Sequence, residues 1–294
     1  MRSQRLFRWA VLPIAATLVV VLAGCNQAQL NGFLPGFIEG EQPVTSNTER
    51  VSGLWVTSWL VLLVVGVITW GLTIWAVVVY RRRKGQTGLP PQLRYNMPIE
   101  VFYTVIPLIL VLGFFAFTAR DQTIIEQRYP KPDVMIEVLA KQWAWDFNYV
   151  DANVFSASIQ VQPKDTSKPG AAEAEIPTLY LPVNKKIELR LLSRDVIHSF
   201  WVIDFLYKKD VIPGRTNYMS ITPTRAGDFE GKCAELCGEY HSQMLFKVKV
   251  VTQDEFDRYT ASLAAAGHTG QLGPEYDRNH NLPGVDSPRV TTER

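Results

Sequence analysis

Two cysteines, a histidine and a methionine fall within one short stretch of the chain, GKCAELCGEYHSQM at residues 231–244. Cys233 and Cys237 stand close together, and His241 and Met244 follow shortly after them. Side chains of these types can form a disulfide, a redox switch or a metal site. The chain has only one other cysteine, Cys25, so this pair is a local concentration of thiols.

The residue types favour a copper site over the alternatives. A disulfide across so short a spacing would remove little entropy from the unfolded chain, so it would stabilise only weakly. A further histidine, His198, lies upstream in the strand-like segment RDVIHSFWVI. Thiolate, imidazole and thioether together are a soft ligand set that suits copper. Zinc sites rarely use methionine, and iron–sulfur clusters use four cysteines or cysteines with two histidines. Two thiolates can also bridge two copper ions.

Composition narrows the class of protein that must position these residues. The charge is nearly balanced, with 30 basic and 28 acidic residues, which argues against a nucleic-acid partner. Long apolar runs are concentrated in residues 9–22 and 51–119, and the remainder has the composition of a soluble domain. The sequence therefore predicts a membrane anchor followed by a globular head.

The N-terminus, MRSQRLFRWAVLPIAATLVVVLAGC, has the basic start, apolar centre and small-residue end of a secretory signal peptide. Its last four residues resemble the bacterial lipoprotein box, in which the cysteine becomes the lipidated mature N-terminus. An ordinary cleavage site or an uncleaved first span is the alternative. We expect residues 1–25 to be a lipoprotein signal peptide, Cys25 to be lipidated, and residues 26–50 to be an extracytoplasmic segment.

Two uncharged runs predict a hairpin of transmembrane helices. Residues 51–80 and 101–119 are each about as long as a membrane-spanning helix requires. The linker, residues 81–100, carries four consecutive basic residues and is therefore predicted to be cytoplasmic. We expect a multi-pass protein of the bacterial plasma membrane, with both the N-terminus and residues 120–252 on the extracytoplasmic side.

The outer region reads as short strands separated by turn residues, which is typical of an all-β sandwich or barrel. The predicted strands are 134–140, 145–150, 178–182, 187–192, 217–223 and 245–251. Residues 163–176 are predicted to be a loop insertion. Thr252 and Glu255 have the spacing of a capping box, so a helix should run from 253 to about 266. The polar remainder, 267–294, is predicted to be disordered.

The segment from Cys233 through Glu235, Cys237 and His241 to Met244 resembles the binuclear copper (CuA) loop of cytochrome c oxidase subunit II. Three other segments are similar to motifs of that family: DVIHSF at 195–200, QWAWDFNY at 142–149 and IPGR at 212–215. The resemblance covers about residues 50–252. It implies a two-helix transmembrane hairpin followed by a cupredoxin-like domain, and electron transfer from cytochrome c to haem in subunit I, where oxygen is reduced to water with proton pumping.

The resemblance also implies roles for individual residues. The copper A ligands would be His198, Cys233, Cys237, His241, Met244 and the backbone carbonyl of Glu235. The Glu235 side chain would reach a magnesium or manganese ion shared with subunit I. Electrons would enter through Trp143, and Glu100 would lie at the mouth of a proton channel, although an interfacial charge is the simpler explanation of Glu100. Partners would be subunit I and other oxidase subunits, cytochrome c or a membrane-bound c-type cytochrome, and membrane lipid, with haem only in the partner subunit.

The sequence departs from the family pattern at Ala144, which separates the two tryptophans where the family often has tyrosine. Asp195, Asp204 and Asp210 are candidates for an acidic face that docks the electron donor. Three other functions remain to be weighed. A quinol-oxidase subunit would lack the cysteines and histidines, a nitrous-oxide-reducing enzyme would need a large additional catalytic domain, and a copper chaperone tethered by lipid would not need the helical hairpin.

Overall fold

The computed structural model describes residues 43–89, 92–160 and 176–273. These residues form two compact units, a helical unit at Glu49–Lys131 and a β unit that comprises the other described residues. The predicted signal peptide with Cys25 and most of the 163–176 insertion lie outside the described residues.

The helical unit consists of helix α1 (Thr48–Val79) and helix α2 (Met97–Ile125). Both are long and apolar enough to cross a membrane, and their apolar side chains are exposed. Each helix is longer than its uncharged run. Helix α2 continues past Arg120, and in this extension Asp121 Oδ1 pairs with Arg50 Nη1 at 2.9 Å, which joins the end of α2 to the start of α1. The two helices therefore form an antiparallel hairpin.

The β unit is a sandwich of two five-stranded sheets, as the spacing of the strand-like segments predicts. The first sheet has the order β3-β2-β1-β5-β8 and the second the order β4-β10-β9-β6-β7. Strands β1 and β5 are parallel, as are β4 and β10, and the other pairs are antiparallel. The strands of the described residues are β1 Val134–Lys141, β2 Ala144–Tyr149, β3 Val154–Ser156, β4 Thr178–Pro182, β5 Ile187–Ser193, β6 His198–Val202, β7 Tyr207–Val211, β8 Asn217–Ile221, β9 Gly227–Cys233 and β10 Leu245–Val251.

Four of these strands are absent from the predicted set: β3, β7, β9 and β6, of which only β6 lies in a segment described above as strand-like. Strand β9, GDFEGKC, carries two glycines and three charges, a composition more typical of a turn. Its Gly231 is needed because the Phe246 ring of β10 lies over it, and a Cβ at this position would be 2.2 Å from ring carbons. The contact with Phe246 thus explains Gly231, one of the residues that make β9 unlike a strand in sequence.

Aromatic side chains fill the space between the two sheets. Trp145 of β2 packs edge-on against Phe200 of β6 and Phe246 of β10, with ring centroids 5.5 and 5.3 Å apart. Phe200 and Phe246 stack on each other at 4.6 Å. Cys233, Cys237 and Met244 are buried in the same apolar core. The core therefore extends directly to the sulfur-bearing residues and supports them.

Helix α3 (Gln253–Ala265) follows the last strand and has the predicted capping box. The prediction of disorder from residue 267 is wrong for residues 267–273. The backbone of this segment bonds to β3 and to the loop before it, with His268 accepting from the Phe155 N–H at 3.1 Å and Gly270 donating to Asn153 at 2.9 Å. The edge of β3 offers unpaired backbone groups, and a polar segment can satisfy them as well as an apolar one. Residues 274–294 lie outside the described residues.

The segment before α1 also joins the sandwich. Val44 is fully buried in the core, Thr45 forms a β-bridge with Pro223, and the Ser46 N–H donates to the Thr222 carbonyl at 2.9 Å. Part of the stretch predicted as an extracytoplasmic N-terminal segment is therefore built into the β unit.

Candidate metal centre

The pairing of two strands brings the distant histidine to the cysteines. Strand β9 ends at Cys233, and the loop that leads to β10 carries the other sulfur ligands and His241. Strand β6 lies beside β9 with Phe200 opposite Cys233, so His198, at the start of β6, lies next to this loop. A short 3₁₀ turn, His241–Gln243, points the loop back toward the core before Met244.

All the predicted copper-binding groups converge there. Cys233 Sγ lies 3.8 Å from Cys237 Sγ and 3.9 Å from His198 Nδ1. Cys237 Sγ lies 3.4 Å from His241 Nδ1 and 3.8 Å from Met244 Sδ. The carbonyl oxygen of Glu235 lies 3.2 Å from Cys233 Sγ.

This arrangement fits a copper centre. A sulfur–sulfur distance of 3.8 Å is far longer than the roughly 2.05 Å of a disulfide, so both residues are free cysteines. It is also short enough for both sulfurs to bind one ion, since a metal–thiolate bond is about 2.3 Å long. Both cysteines are buried at 4% exposure, and His198 is fully buried. Two thiolates, two imidazoles, a thioether and a carbonyl are the soft donor set that copper prefers, and four of these six donors belong to buried residues.

The two thiols differ sharply in acidity. The hydrogen bond with Cys237, helped by the contact with His198, lowers the pKa of the Cys233 thiol to about 3 against the opposing effect of burial. The same contact and burial raise the pKa of Cys237, because a second thiolate beside the first would add like charge. A second thiolate is therefore disfavoured beside the first, and a metal ion that binds both sulfurs must displace the remaining thiol proton.

Asp195 orients the buried histidine. Its Oδ1 lies 2.8 Å from His198 Nε2, which leaves Nδ1 facing the cysteines. Burial disfavours the charged imidazole, but the contacts with Asp195 and Cys233 together outweigh burial and raise the pKa of His198. Burial raises the pKa of Asp195, but the hydrogen bonds with His198 and with the backbone of Gln142 and Val196 outweigh burial and lower it. The Asp195 side chain is only 9% exposed, so the prediction that it belongs to a docking surface is wrong. The position of Asp195, three residues before a predicted ligand histidine, could have indicated this role, because ligand histidines usually bond to a carboxylate or a carbonyl through their other nitrogen.

Gln142 and Trp143 hold the ligand loop from the other side. The Gln142 side-chain amide donates to the Cys237 carbonyl at 2.7 Å, and the Trp143 indole N–H donates to the same oxygen at 3.3 Å. Trp143 is half-buried and meets Tyr240 edge-on at 4.9 Å. Gly238 has a φ of +123°, and a Cβ there would come within 3.1 Å of both Gln142 and Trp143. The loop therefore approaches the β1–β2 turn as closely as glycine permits.

The remaining predicted residues have other surroundings. The Glu235 side chain is exposed, while its carbonyl belongs to the cluster. Glu100 lies in the first turn of α2, where its Oε1 accepts from the Asn96 N–H at 2.9 Å, a helix-capping contact. Asp210 is exposed, and burial raises the pKa of the half-buried Asp204.

The fold and the site define a protein with apolar helices and an extracytoplasmic-type β-sandwich that carries a copper-type cluster. A family model described as cytochrome C oxidase subunit II, periplasmic domain, matches residues 134–251. "Probable cytochrome c oxidase subunit 2" of Streptomyces avermitilis is 44% identical over 255 residues, which cover 78% of this chain and 80% of that protein. "Cytochrome c oxidase subunit 2" of Mycobacterium bovis is 33% identical, over 87% of this chain and 82% of that protein.

The crystal structure of the periplasmic domain of subunit II of cytochrome oxidase from Bradyrhizobium japonicum is 33% identical, with a TM-score of 0.41, over 47% of this chain and 97% of that one. The chain belongs to the cytochrome c oxidase subunit II family. It is therefore a component of an oxidase complex that contains other subunits.

Proposed function

We propose that this chain receives electrons from cytochrome c, or from a membrane-bound c-type cytochrome, at a binuclear copper A centre. From there electrons pass to haem in subunit I, where oxygen is reduced to water and protons are pumped. The observation that carries the proposal is the convergence of four further donor groups on two free cysteine sulfurs.

Each donor has a distinct task. The thiolates of Cys233 and Cys237 would hold both copper ions, the imidazoles of His198 and His241 would each bind one, and Met244 and the Glu235 carbonyl would supply the remaining donors. When bound, the copper pair supplies a one-electron carrier whose charge is spread over both ions and both sulfurs. The buried donors are fixed by β6, β9 and the core beneath them, so their positions change little between oxidation states. That rigidity keeps the reorganisation that accompanies electron transfer small.

Trp143 is the group through which electrons enter. It is the half-buried aromatic side chain that bonds directly to the ligand loop, through the carbonyl of Cys237. Its edge contact with Tyr240 holds the ring in place beside that loop. An electron arriving on this ring therefore has a short hydrogen-bonded route to a bridging cysteine.

We propose the other assignments from the family resemblance, the lipoprotein-box motif and the basic linker. The exposed Glu235 carboxylate binds a magnesium or manganese ion shared with subunit I. Helices α1 and α2 cross the bacterial plasma membrane with the copper domain outside, and Cys25 carries the lipid. Glu100 lies at the start of a proton channel, a role that must coexist with its capping contact to Asn96.

Substitution of one bridging sulfur tests the copper site. The full chain loaded with copper should give the seven-line electron spin resonance pattern of one electron shared by two copper nuclei. Cys237→Ser should lose this pattern, because a hydroxyl is a poor ligand for copper. Cys25→Ser removes a cysteine outside the cluster and should keep it. A seven-line spectrum from Cys237→Ser would refute the bridging role.

Reduction kinetics test the route of electrons. Trp143→Ala should slow reduction of the copper centre by cytochrome c while leaving its spectrum unchanged. Trp201→Ala is the matched control, since Trp201 lies on the second sheet beneath Lys232, 4.8 Å from the ring centroid. Equal rates for wild type and Trp143→Ala would show that electrons enter elsewhere.

A further inference from the structure

The first sheet buries a group of charges on residues next in sequence to Gln142 and Asp195. The Asp146 carboxylate of β2 pairs with Lys141 Nζ at 2.9 Å and with Arg194 Nη1 at 2.6 Å through the same oxygen, Oδ2. The side chains of all three residues are at most 5% exposed. The other carboxylate oxygen, Oδ1, accepts from the Ser158 N–H at 2.8 Å. We refer to Lys141, Asp146 and Arg194 as the charged triad.

The segment that follows helix α3 contacts this triad through its backbone. Arg194 donates from Nε and Nη2 to the carbonyl of Gly273, at 3.1 and 2.9 Å. The side chain of Asn148 binds both the N–H and the carbonyl of Leu272, each at 2.9 Å. Residues 268–273, called the strap below, thus run from the edge of β3 across β2 to Arg194.

Each basic member of the triad immediately precedes a residue that holds a copper-binding group. Lys141 precedes Gln142, whose N–H donates to Asp195 Oδ2 at 2.6 Å and whose side chain holds the Cys237 carbonyl. Arg194 precedes Asp195, which holds His198. The Arg194 N–H also bonds to the Ala140 carbonyl at 3.0 Å. The triad therefore joins the β1–β2 turn to the β5–β6 loop, the two segments that orient His198 and Cys237.

Stability alone is a poor explanation for this arrangement. Taking charges out of water costs about as much as their attraction returns, and buried ion pairs can often be replaced by apolar side chains without loss of stability. What such a pair does supply is a defined geometry, because its partners tolerate few alternative positions. A copper site whose donors come from separate loops needs that definition.

We propose that Arg194 is a positioning residue for the metal centre. Through Asp146, Lys141 and the strap, it sets the orientation of Asp195 and Gln142, and through them that of His198 and the Cys237 carbonyl. The inference rests on the proposed copper function. It assigns the strap a part in copper binding, although the strap contains none of the ligands.

The test compares Arg194→Met with Arg190→Met in the full chain. Arg190 lies on β5, which ends one residue before Arg194, and pairs with Glu137 at 3.2 Å, so its replacement removes a more exposed ion pair from the same sheet. Copper retention against a chelator should fall about 10- to 100-fold in Arg194→Met, the usual effect of losing an outer-shell support. Arg190→Met should retain copper like the wild type. The hyperfine pattern of Arg194→Met should also lose the equality of its two copper nuclei.

A metal-free measurement separates positioning from general stability. In the copper-free chain, hydrogen exchange of residues 194–200 and 231–244 should be faster in Arg194→Met than in wild type or Arg190→Met, with the rest of the sandwich unchanged. Arg194→Lys keeps the charge but not the paired bonds to Gly273, and should show a smaller effect in the same direction. If Arg194→Met does not fold, Arg194→Lys is the variant that tests the positioning role of Arg194.

The outcomes are distinguishable. If the wild type itself binds no copper pair, the proposed function fails. If the wild type binds the pair, and folded Arg194→Met or, failing that, Arg194→Lys matches it in retention, spectrum and exchange, the positioning role is refuted and the copper function stands.

Discussion

Strand β2 connects two ends of the sandwich that are built in different ways. Near its start, Trp145 donates its indole N–H to the Met244 carbonyl at 3.3 Å, beside the metal cluster. At its end, Tyr149 packs against Phe256 and Tyr259 of helix α3, with ring centroids 5.8 and 5.7 Å apart. Tyr259 in turn stacks on Tyr180 at 3.7 Å. One end gathers polar and sulfur groups, and the other gathers aromatic rings.

The difference separates two tasks. Burial of aromatic surface is a large stabilising contribution, so the end closed by α3 can hold the sandwich together. The cluster end buries two thiols and the His198 imidazole, which are held by hydrogen bonds, and on the proposed function these groups would bind metal. We therefore expect substitutions at the helix end to lower the free energy of unfolding without changing the copper spectrum. We expect substitutions at the cluster end to change copper binding more than they change the free energy of unfolding.

Phe256→Ala should have the largest effect on stability. Phe256 is 7% exposed and packs on Tyr149, and loss of a buried phenylalanine typically costs about 3–5 kcal/mol. Urea denaturation of the detergent-solubilised chain, followed by near-ultraviolet circular dichroism, measures the change. Phe256→Leu is the control and should lose less. A changed copper spectrum in the folded Phe256→Ala protein would contradict the separation of the two ends.

Gly238→Ala should affect both properties, because it lies at the cluster end. The positive φ and the close approach of Gln142 each oppose a side chain here, and we expect a loss of about 1–3 kcal/mol. Copper retention should also fall, since Cys237 must shift with its neighbour. Ser242→Ala, an exposed position in the same loop, is the control. Unchanged copper retention would show that the loop does not need its close contact with Gln142.

Thr252→Ala should have the smallest effect. The Thr252 hydroxyl accepts from the Glu255 N–H at 3.3 Å, and loss of an N-cap typically costs about 1 kcal/mol. Thr252→Ser keeps the hydroxyl and should be nearly as stable as the wild type. Copper retention should be the same in both variants. A loss in Thr252→Ala much above that of Gly238→Ala would reverse the expected order.

The parts of the molecule that depend on neighbouring residues in the chain could be predicted from sequence. The ligand loop, the two apolar helices, the capping box and the strands with alternating apolar residues all belong to this group. Strand β9 could not, because Gly231 is explained only by the ring of Phe246. Nor could the strap, whose polar residues resemble a solvated tail until β3 and Arg194 are placed beside them.

The cluster itself shows the same division. Its cysteines lie on one loop, so their pairing is visible in the sequence, and the family motif locates His198. The groups that hold the ligands come from elsewhere. Asp195 looks like a surface acid and Arg194 like a surface base, because nothing in their local sequence indicates that the sheet buries them.

The most direct test of the copper account is a count of copper ions in the purified full chain, combined with its electron spin resonance spectrum. We expect two copper ions per chain and a seven-line pattern, because both sulfurs of Cys233 and Cys237 face the same buried space. A single ion with a four-line pattern, or a disulfide between the two cysteines in the working complex, would contradict the account.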